Sequence, residues 1–159
     1  PDMIQKLGDE NALPTQLYLS TNAADYKSFL KINRPRYDDS WERWNRTLKM
    51  LSTLGTRTVL RITLIRGYND DEEMIPAFAS LLRQSNTHFV EIKSYMHIGR
   101  STNRLEHSDM LEMSEVRSFA NKLAQENSDF TVMDESGISR IVILQNKKRF
   151  VDRFIPACC

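Results

Sequence analysis

The stretch Arg57–Asn69, RTVLRITLIRGYN, decides the fold of this chain. Side chains alternate between the two faces of a strand, and one face of this stretch is apolar, formed by Leu60, Ile62 and Leu64. The other face carries Arg61 and Thr63 in the middle of the hydrophobic run. Because an unpaired buried charge is strongly destabilising, Arg61 needs water or an anionic partner. The stretch predicts either a strand whose polar face lines a cavity or an amphipathic strand with Arg61 in solvent.

The residues after this strand predict a tight turn into a helix. Gly67 can adopt a positive φ at little steric cost, and Asn69 or Asp70 is placed to cap the helix. Pro76 has to lie in the first turn of that helix, because proline in a helix interior is destabilising by roughly 3 kcal/mol.

Two further segments repeat the pattern of one apolar and one polar face: Gln16–Asn22, QLYLSTN, and His88–Met96, HFVEIKSYM. Their polar faces carry Ser20 and Asn22 in the first segment and Glu91, Lys93 and Tyr95 in the second. Helical segments follow each strand, and crossovers of this length join parallel strands. A barrel accounts for both faces, since its helices cover the outside, its polar residues line a lumen, and its ligand lies at the carboxyl ends of the strands.

Local signals predict how the helices begin, end and pack. Asp39 and Glu42 have the spacing of a capping box, Gly55 suits a left-handed C-cap, and Ser114 suits an N-cap. An apolar stripe that faces the core is predicted for Trp41, Trp44, Leu48 and Leu51.

The C-terminal part predicts a short β extension. Strands are expected at Phe130–Met133 and Arg140–Leu144, on either side of a turn-rich connector from Asp134 to Gly137. The basic tail that follows, NKKRFVDRFIPACC, is expected to be loosely held.

The composition limits the possible classes of function. The net charge of +1 leaves any nucleic-acid binding to local patches, and no apolar run is long enough to span a membrane. The two cysteines, Cys158 and Cys159, cannot form a disulfide framework or hold an iron–sulfur cluster alone. A reducing compartment, the cytoplasm, is therefore favoured. No metal site is predicted, because metal-ligand spacing is absent among His88, His97 and His107.

Six segments closely resemble the C-terminal half of the wyosine-forming radical S-adenosylmethionine enzymes, the 4-demethylwyosine synthases that act on transfer RNA. They are LPTQLYLSTNAADY, INRP, WERWNRTLKML, RTVLRITLIRGYN, FVEIKSYMHIGRSTNRL and MDESGISRIVIL. The resemblance runs from about Leu13 to Leu144, and KSYMHIGRSTNRL is its most specific part.

The resemblance implies an α/β fold, a partial (β/α) barrel of the radical S-adenosylmethionine type. Residues 1–159 would supply about the last three β-α units plus a short C-terminal β extension. It implies a reaction that condenses N1-methylguanosine of tRNA with pyruvate to give 4-demethylwyosine, with S-adenosylmethionine as cofactor. The 4Fe–4S cluster of the family is held by a Cys-x-x-x-Cys-x-x-Cys loop, which this chain lacks. The cluster ligands are expected upstream, and the start at Pro1 suggests a fragment that is inactive alone.

The resemblance implies cofactor-binding roles for Ser20, Asn22, Arg61 and Thr63. Ser20 and Asn22 would meet the ribose of the cofactor, or would form a buried pair satisfied by neighbouring strands. Arg61, beside Thr63, would bind a carboxylate of the cofactor or of pyruvate, or would form a salt bridge with Glu91.

Catalytic roles are implied for Lys93 and Tyr95. Lys93 would clamp an anion or form an imine with a keto acid, or would pair with Glu91 or Asp70. Tyr95 would stack on or hydrogen-bond a base or adenine, or would pack in the core.

An RNA-binding rim is implied for Lys31, Arg34, Arg36, Arg100, Asn103 and Arg104. These side chains would meet tRNA phosphates at the mouth of the lumen, or would form ordinary solvated surface. The expected partners are thus tRNA, pyruvate and the upstream half of the same polypeptide, with no membrane.

The alternative function is a non-catalytic α/β module that binds tRNA or a nucleotide. A cysteine motif upstream of Pro1 would distinguish the enzyme from this module. Because open sheet edges recruit other strands, the isolated chain is expected to self-associate or to be marginally stable.

Overall fold

A computed structural model describes residues 1–155 as one mixed five-stranded sheet with helices packed on one face. The strands are β1 Gln16–Ser20, β2 Arg57–Leu64, β3 Phe89–Ser94, β4 Phe130–Ser136 and β5 Ile141–Asn146. Their order across the sheet is β1-β2-β3-β5-β4. The first three strands are parallel, and the β4–β5 hairpin continues the sheet antiparallel to β3. The predicted β-α-β arrangement with a C-terminal β extension is confirmed, and the barrel remains a prediction.

The helices are α1 Asp2–Asp9, α2 Tyr26–Asn33, α3 Ser40–Met50, α4 Ile75–Ser85 and α5 Met113–Glu126. Three short 3-10 helices occupy Glu72–Met74, Gly99–Asn103 and His107–Asp109. The last two lie in the long connection between β3 and α5, which also forms one wall of the candidate site described below.

The predicted division of the sheet into two faces is confirmed. Every second residue of the parallel strands belongs to one buried core, which includes Leu60, Ile62, Leu64, Val90 and Ile92. Helix residues that complete this core include Leu48, Phe78, Leu81 and Phe119. Burial of this apolar surface, at about 25 cal/mol per Å², holds the helices against the sheet.

A second, smaller core lies at the carboxyl ends of the parallel strands. It contains Phe29, Ile32, Ile65, Tyr95 and Leu105, with Trp41 packed against it. Trp41 stacks on Trp44 with 5.2 Å between ring centroids, and Trp44 contacts both cores. The stripe predicted on α3 therefore divides between two cores.

Several predicted helix ends were wrong. The side chain of Asp39 receives a hydrogen bond from Arg43 and caps no amide, and α3 ends at Met50, well before Gly55. Helix α5 is capped by Glu112 and Glu115 in a reciprocal box, in place of Ser114. At Asp39 and Ser114 the expected cap is absent because Arg43 takes the Asp39 carboxylate and the Glu112–Glu115 box caps α5 two residues before Ser114.

The turn after β2 was predicted in part. Gly67 has the expected positive φ, of 71°. Asp71 caps the short helix before α4, whereas Asp70 accepts a hydrogen bond from the Gly67 amide. Pro76 lies in the first turn of α4, as predicted.

The C-terminal segment is firmly anchored up to residue 155, contrary to the sequence-based expectation. Strand β4 continues to Ser136, so the turn is shorter than predicted. Beyond β5, the guanidinium of Arg149 donates to the carbonyl oxygens of Leu51 and Asn86. Arg57 donates to the backbone carbonyls of residues 152–154. The terminal Cys158 and Cys159 lie outside the described residues.

Within residues 1–155, none of the helices has the length and apolar character that crossing a membrane requires.

Candidate functional site

A cavity of about 200 Å³ opens at the carboxyl ends of β1, β2 and β3. Six of the residues predicted from the sequence line it: Asn22, Lys31, Arg34, Thr63, Tyr95 and Arg104. Its other lining residues are Ile32, Ile65, Tyr68, Ser101 and Leu105. The carboxyl ends of parallel strands are where ligands bind in open α/β sheets and in barrels, so we take this cavity as the candidate site.

Asn69 holds the strand ends that form the floor of the cavity. Its side chain is completely buried; the amide nitrogen donates to the carbonyl oxygens of Asn22 and Thr63, both at 2.8 Å. Its Oδ1 accepts the backbone amide of Ile65 at 2.6 Å. The sequence analysis assigned Asn69 only to a helix cap, although an asparagine two residues beyond a turn glycine can satisfy several backbone groups.

Asn22 and Thr63 present an amide and a hydroxyl at the cavity. The Oδ1 atom of Asn22 accepts only a long hydrogen bond, of 3.4 Å, from the backbone amide of Thr63. Ser20 lies apart from the cavity lining and is exposed on the edge strand, so the buried pair considered for Ser20 and Asn22 is not formed.

Three cations surround the cavity without an acidic partner. Within residues 1–155, Lys31, Arg34 and Arg104 form neither a salt bridge nor a side-chain hydrogen bond. The ammonium of Lys31 lies 4.5 Å from the ring centroid of Tyr68, which is also at the cavity. Arg34 ends α2 in the left-handed conformation, with φ 46°. This arrangement suits an anionic ligand.

Tyr95 contributes its hydroxyl to the cavity and its ring to the core. The side chain is buried at 6% exposure and belongs to the second core. Its hydroxyl donates to Oγ of Ser101 at 3.1 Å and lies 3.2 Å from Nδ1 of His97. Core packing of the ring leaves the hydroxyl to act on a ligand, and the predicted catalytic role of Tyr95 stays a prediction.

Arg61 and Glu91 form an ion pair on the polar face of the sheet. The Nε atom of Arg61 donates to Oε1 of Glu91 at 2.7 Å, and Nη2 donates to Oε2 at 3.3 Å. The guanidinium also lies 4.4 Å from the ring centroid of Tyr18. The salt bridge that the sequence offered as one role of Arg61 is thus present, and Arg61 lies outside the cavity lining.

Lys93 lies beside Thr63 in the sheet register and is half-buried. The pairing of Lys93 with Glu91 or Asp70 is not found: Arg61 binds Glu91, and among residues 1–155 Lys93 has no salt bridge or hydrogen bond. The lysine does not line the cavity. Its ammonium is thus left for another partner on the polar face of the sheet.

Arg66 fixes the cavity wall formed by the β3–α5 connection, and sequence reasoning missed it. Its Nη1 and Nη2 atoms donate to the two carboxylate oxygens of Glu115 at 2.6 and 2.7 Å. Further bonds run to the carbonyl oxygens of Ser108 and Met110, both at 3.0 Å. The Arg66 guanidinium, with a backbone amide of the α5 cap, lowers the pKa of Glu115 to about 2. The signal in the sequence was an arginine two residues beyond the end of β2, just before the turn at Gly67.

The remaining predicted rim residues, Arg36, Arg100 and Asn103, are exposed and lie outside the cavity lining. Arg100 and Asn103 belong to the 3-10 helix Gly99–Asn103, whose Ser101 reaches the cavity. The structure therefore places six of the twelve predicted site residues at one cavity and the other six outside its lining.

Comparisons with known proteins agree with this architecture. Residues 84–146, which include β3, the β3–α5 connection and the C-terminal hairpin, match the family described as Wyosine base formation. The S-adenosyl-L-methionine-dependent tRNA 4-demethylwyosine synthase of Methanocaldococcus jannaschii is 41% identical over 95% of this chain. The enzyme of that name from Pyrococcus abyssi is 36% identical over 91%. This chain resembles the wyosine-forming enzymes.

Solved structures of these enzymes share the fold of this chain. A structure of TYW1 with a lysine–pyruvate adduct bound superposes with a TM-score of 0.76, at 40% identity over 89% of this chain. A crystal structure of archaeal TYW1 superposes with a TM-score of 0.69, at 35% identity over 91% of this chain. This chain covers 44% and 45% of those two chains, and 45% and 42% of the two curated relatives. It therefore spans somewhat less than half the length of the wyosine-forming enzymes it matches.

Proposed function

We propose that this chain is the cofactor- and substrate-binding half of a cytoplasmic radical S-adenosylmethionine enzyme that makes 4-demethylwyosine in tRNA. In this reaction N1-methylguanosine of tRNA is condensed with pyruvate. The observation that carries the proposal is the cavity at the carboxyl ends of the parallel strands. There an amide, hydroxyls and three cations that have no acidic partner among residues 1–155 converge. The similarity to enzymes of this name supports it.

The chemistry of the cavity fits part of S-adenosylmethionine. Asn22 and Thr63 supply the amide and hydroxyl that a ribose diol needs, and the cations suit its carboxylate. A volume of about 200 Å³ is below the roughly 300–1,000 Å³ of pockets that enclose whole drug-sized ligands. The rest of the cofactor would then lie across the polar face of the sheet, beside Ser20 and Arg61. When bound, the cofactor supplies the radical that starts the reaction.

The described residues do not fit a 4Fe–4S cluster. Cluster ligation requires cysteine thiolates, and residues 1–155 contain no group of His, Cys, Asp and Glu able to hold a metal ion. We therefore assign the cluster to the upstream half of the enzyme, together with the Cys-x-x-x-Cys-x-x-Cys loop of the resembled family.

Lys93 is our candidate for binding pyruvate in this half of the enzyme. It projects from β3 on the same face as Thr63 and has no ion pair within the described chain. A lysine–pyruvate adduct is present in the TYW1 structure that this chain resembles. An amine can form an imine with a keto acid only in its neutral state, and an ammonium can instead clamp the carboxylate. Tyr95 would hydrogen-bond the substrate through its hydroxyl.

The tRNA would approach over the rim of the cavity. Lys31, Arg34 and Arg104 are directly at the opening, and Arg36, Arg100 and Asn103 extend the basic surface outward. Phosphate contacts from such side chains position RNA without reading its sequence, while the unstacked guanine would enter the cavity.

The test is a chimera in which this chain replaces the matching part of the Methanocaldococcus jannaschii enzyme. The chimera, reconstituted with cluster, S-adenosylmethionine and pyruvate, is incubated with tRNA that carries N1-methylguanosine. Nuclease digestion and mass spectrometry then measure 4-demethylwyosine. We expect product from the chimera and none after Lys93→Ala. A folded chimera that binds tRNA and forms no product, while the parent enzyme does, would favour the non-catalytic binding module. Full activity of Lys93→Ala would show that Lys93 does not bind pyruvate, and the pyruvate-binding lysine would then be assigned to the other half of the enzyme.

A further inference from the structure

Tyr37, Arg36 and Arg43 form an exposed aromatic surface between α2 and α3, which we call the Tyr37 platform. The side chain of Tyr37 is 59% exposed, although tyrosine rings are usually half-buried or more. The guanidinium carbons of Arg36 and Arg43 each lie 5.8 Å from the ring centroid. The ring and the two guanidinium groups form one exposed surface, next to the exposed carboxylates of Asp38 and Asp39.

The backbone and one ion pair hold this platform in place. The carbonyl oxygen of Tyr37 accepts the amide of Ser40, at the start of α3. The Nε atom of Arg43 donates to Oδ2 of Asp39 at 2.7 Å, and this bond fixes the guanidinium of Arg43 on the helix surface. Arg36 has no such acidic partner among residues 1–155. One cation is therefore neutralised and positions the ring, while the other is available to a phosphate.

The platform is close in sequence to the candidate site. Arg34 lines the cavity and is separated from Arg36 only by Pro35. Arg34 and Tyr37 are three residues apart, so their Cα atoms lie within about 11 Å of each other, and Arg36 and Tyr37 are exposed. Lys31 also lines the cavity, so an RNA strand long enough to reach from the cavity to Tyr37 can meet cations at both places.

These features fit a single-stranded RNA better than a protein or a small ligand. Aromatic rings with nearby cations bind unpaired nucleotides by stacking the base and contacting the phosphate. A protein-binding surface would be expected to offer a contiguous apolar patch, whereas the groups around Tyr37 are charged: Arg36, Asp38, Asp39 and Arg43.

We infer that the Tyr37 platform stacks an unpaired nucleotide that flanks the substrate nucleotide of the RNA. The inference rests on the proposed function, because it takes the RNA to be the substrate of the cavity. Arg36 would contact the phosphate of the stacked nucleotide, and Arg43 would support the ring. The duplex stem of the RNA would not use the platform, since paired bases are already stacked.

The test uses the chimera described under Proposed function and measures its binding to two fluorescent RNAs by anisotropy: a hairpin with an unpaired loop and a fully paired duplex of equal length. The variants are Tyr37→Ala, Tyr37→Phe and the matched control Phe154→Ala. Phe154 is also exposed and has a guanidinium 4.8 Å from its ring, but it lies on the C-terminal segment. Thermal unfolding verifies that each variant is folded.

We expect Tyr37→Ala to weaken hairpin binding by about fivefold or more, because stacking on an aromatic ring contributes about 1–3 kcal/mol per base. Tyr37→Phe and Phe154→Ala should bind like the wild type, and the duplex should not distinguish the variants. The slope of log affinity against log salt should be unchanged in Tyr37→Ala, because the substitution removes no cation, and flatter by about one in Arg36→Ala.

Two results would overturn the inference that the Tyr37 platform stacks an unpaired nucleotide. One is a folded Tyr37→Ala chain that binds the hairpin as tightly as Phe154→Ala does; the other is an equal loss of affinity for hairpin and duplex. A folded, unsubstituted chimera that binds neither RNA, while the parent enzyme binds the hairpin, would instead reject the RNA substrate of the proposed function for this chain, and the platform with it.

Discussion

The two ends of the parallel strands use the same residue types in opposite ways. At the amino ends, Arg57 and Arg149 donate to backbone carbonyl oxygens of distant segments. At the carboxyl ends, Lys31, Arg34 and Arg104 have no such partners among the described residues. A half-buried cation that donates to backbone carbonyl oxygens contributes to folding, whereas a cation at a cavity without a partner is available to a ligand. Partners, and not residue type, therefore separate a structural arginine from a binding one.

The largest effect should come from Asn69, a buried structural residue at the carboxyl ends. Asn69→Ala leaves the Ile65 amide and the carbonyl oxygens of Asn22 and Thr63 without their partner. Since each unsatisfied buried group costs about 1–3 kcal/mol, the free energy of unfolding should fall by about 3 kcal/mol in urea denaturation. The matched control is Asn103→Ala, at an exposed asparagine, which should change stability by less than about 0.5 kcal/mol. Equal effects of the two substitutions would contradict the role given to Asn69.

Arg149 at the amino ends should have the next largest effect. Arg149→Ala removes the donors to Leu51 and Asn86 and detaches the C-terminal segment. We expect the free energy of unfolding to fall by about 2 kcal/mol. Arg83→Ala, on the exposed side of α4, serves as the control, with a change within about 0.5 kcal/mol. If Arg149→Ala lowered the free energy of unfolding no more than Arg83→Ala does, Arg149 would have no structural role at the amino ends of the strands.

A smaller, pH-dependent effect is expected at His88, also at the amino ends. Burial, with the charges of Arg149 and Arg57, lowers the pKa of His88 below its usual value of 6.5. Nδ1 accepts the amide of Thr58 at 3.1 Å, which requires that nitrogen to be unprotonated. The unfolded chain therefore binds the proton at a higher pH than the folded chain does. The contribution of the neutral His88 to the free energy of unfolding is therefore fully present above about pH 6.5, and it is lost as the pH falls from there towards the lowered pKa of the folded chain.

His88→Gln removes this titration. Urea unfolding between pH 7 and pH 5 should show a smaller loss of stability in the variant than in the wild type. The carboxyl of Glu115, with its pKa lowered to about 2, titrates outside this window. Identical pH dependence in the two chains would show that His88 charges equally well in the folded state.

The fold was more predictable than the site. The alternation of apolar and polar residues along a strand is a local property of the sequence, whereas the hydrogen-bond and ion-pair partners of a side chain depend on the whole fold. The apolar faces of β2 and β3 could be read directly from Leu60, Ile62, Val90 and Ile92. The roles of Asn69 and Arg66 could not, because each depends on carbonyl oxygens supplied from elsewhere in the fold. From the sequence, either Arg61 or Lys93 could have paired with the carboxylate of Glu91. In the structure Arg61 lies opposite Glu91 in the sheet register and forms the ion pair.

The smallest effect on stability is expected at the rim of the cavity, where we propose that cations bind the RNA. Arg100→Ala combined with Arg104→Ala should change the free energy of unfolding by less than about 0.5 kcal/mol, because neither side chain has an ion pair within residues 1–155. In tRNA binding the same pair should flatten the slope of log affinity against log salt by about one to two units, at roughly 0.7–0.9 for each phosphate that is no longer neutralised. Arg83→Ala again provides the control for a generic loss of positive charge. Parallel salt dependences with equal affinity would assign both arginines to solvated surface, whereas a large loss of stability would make them structural, like Arg149 at the other end of the sheet.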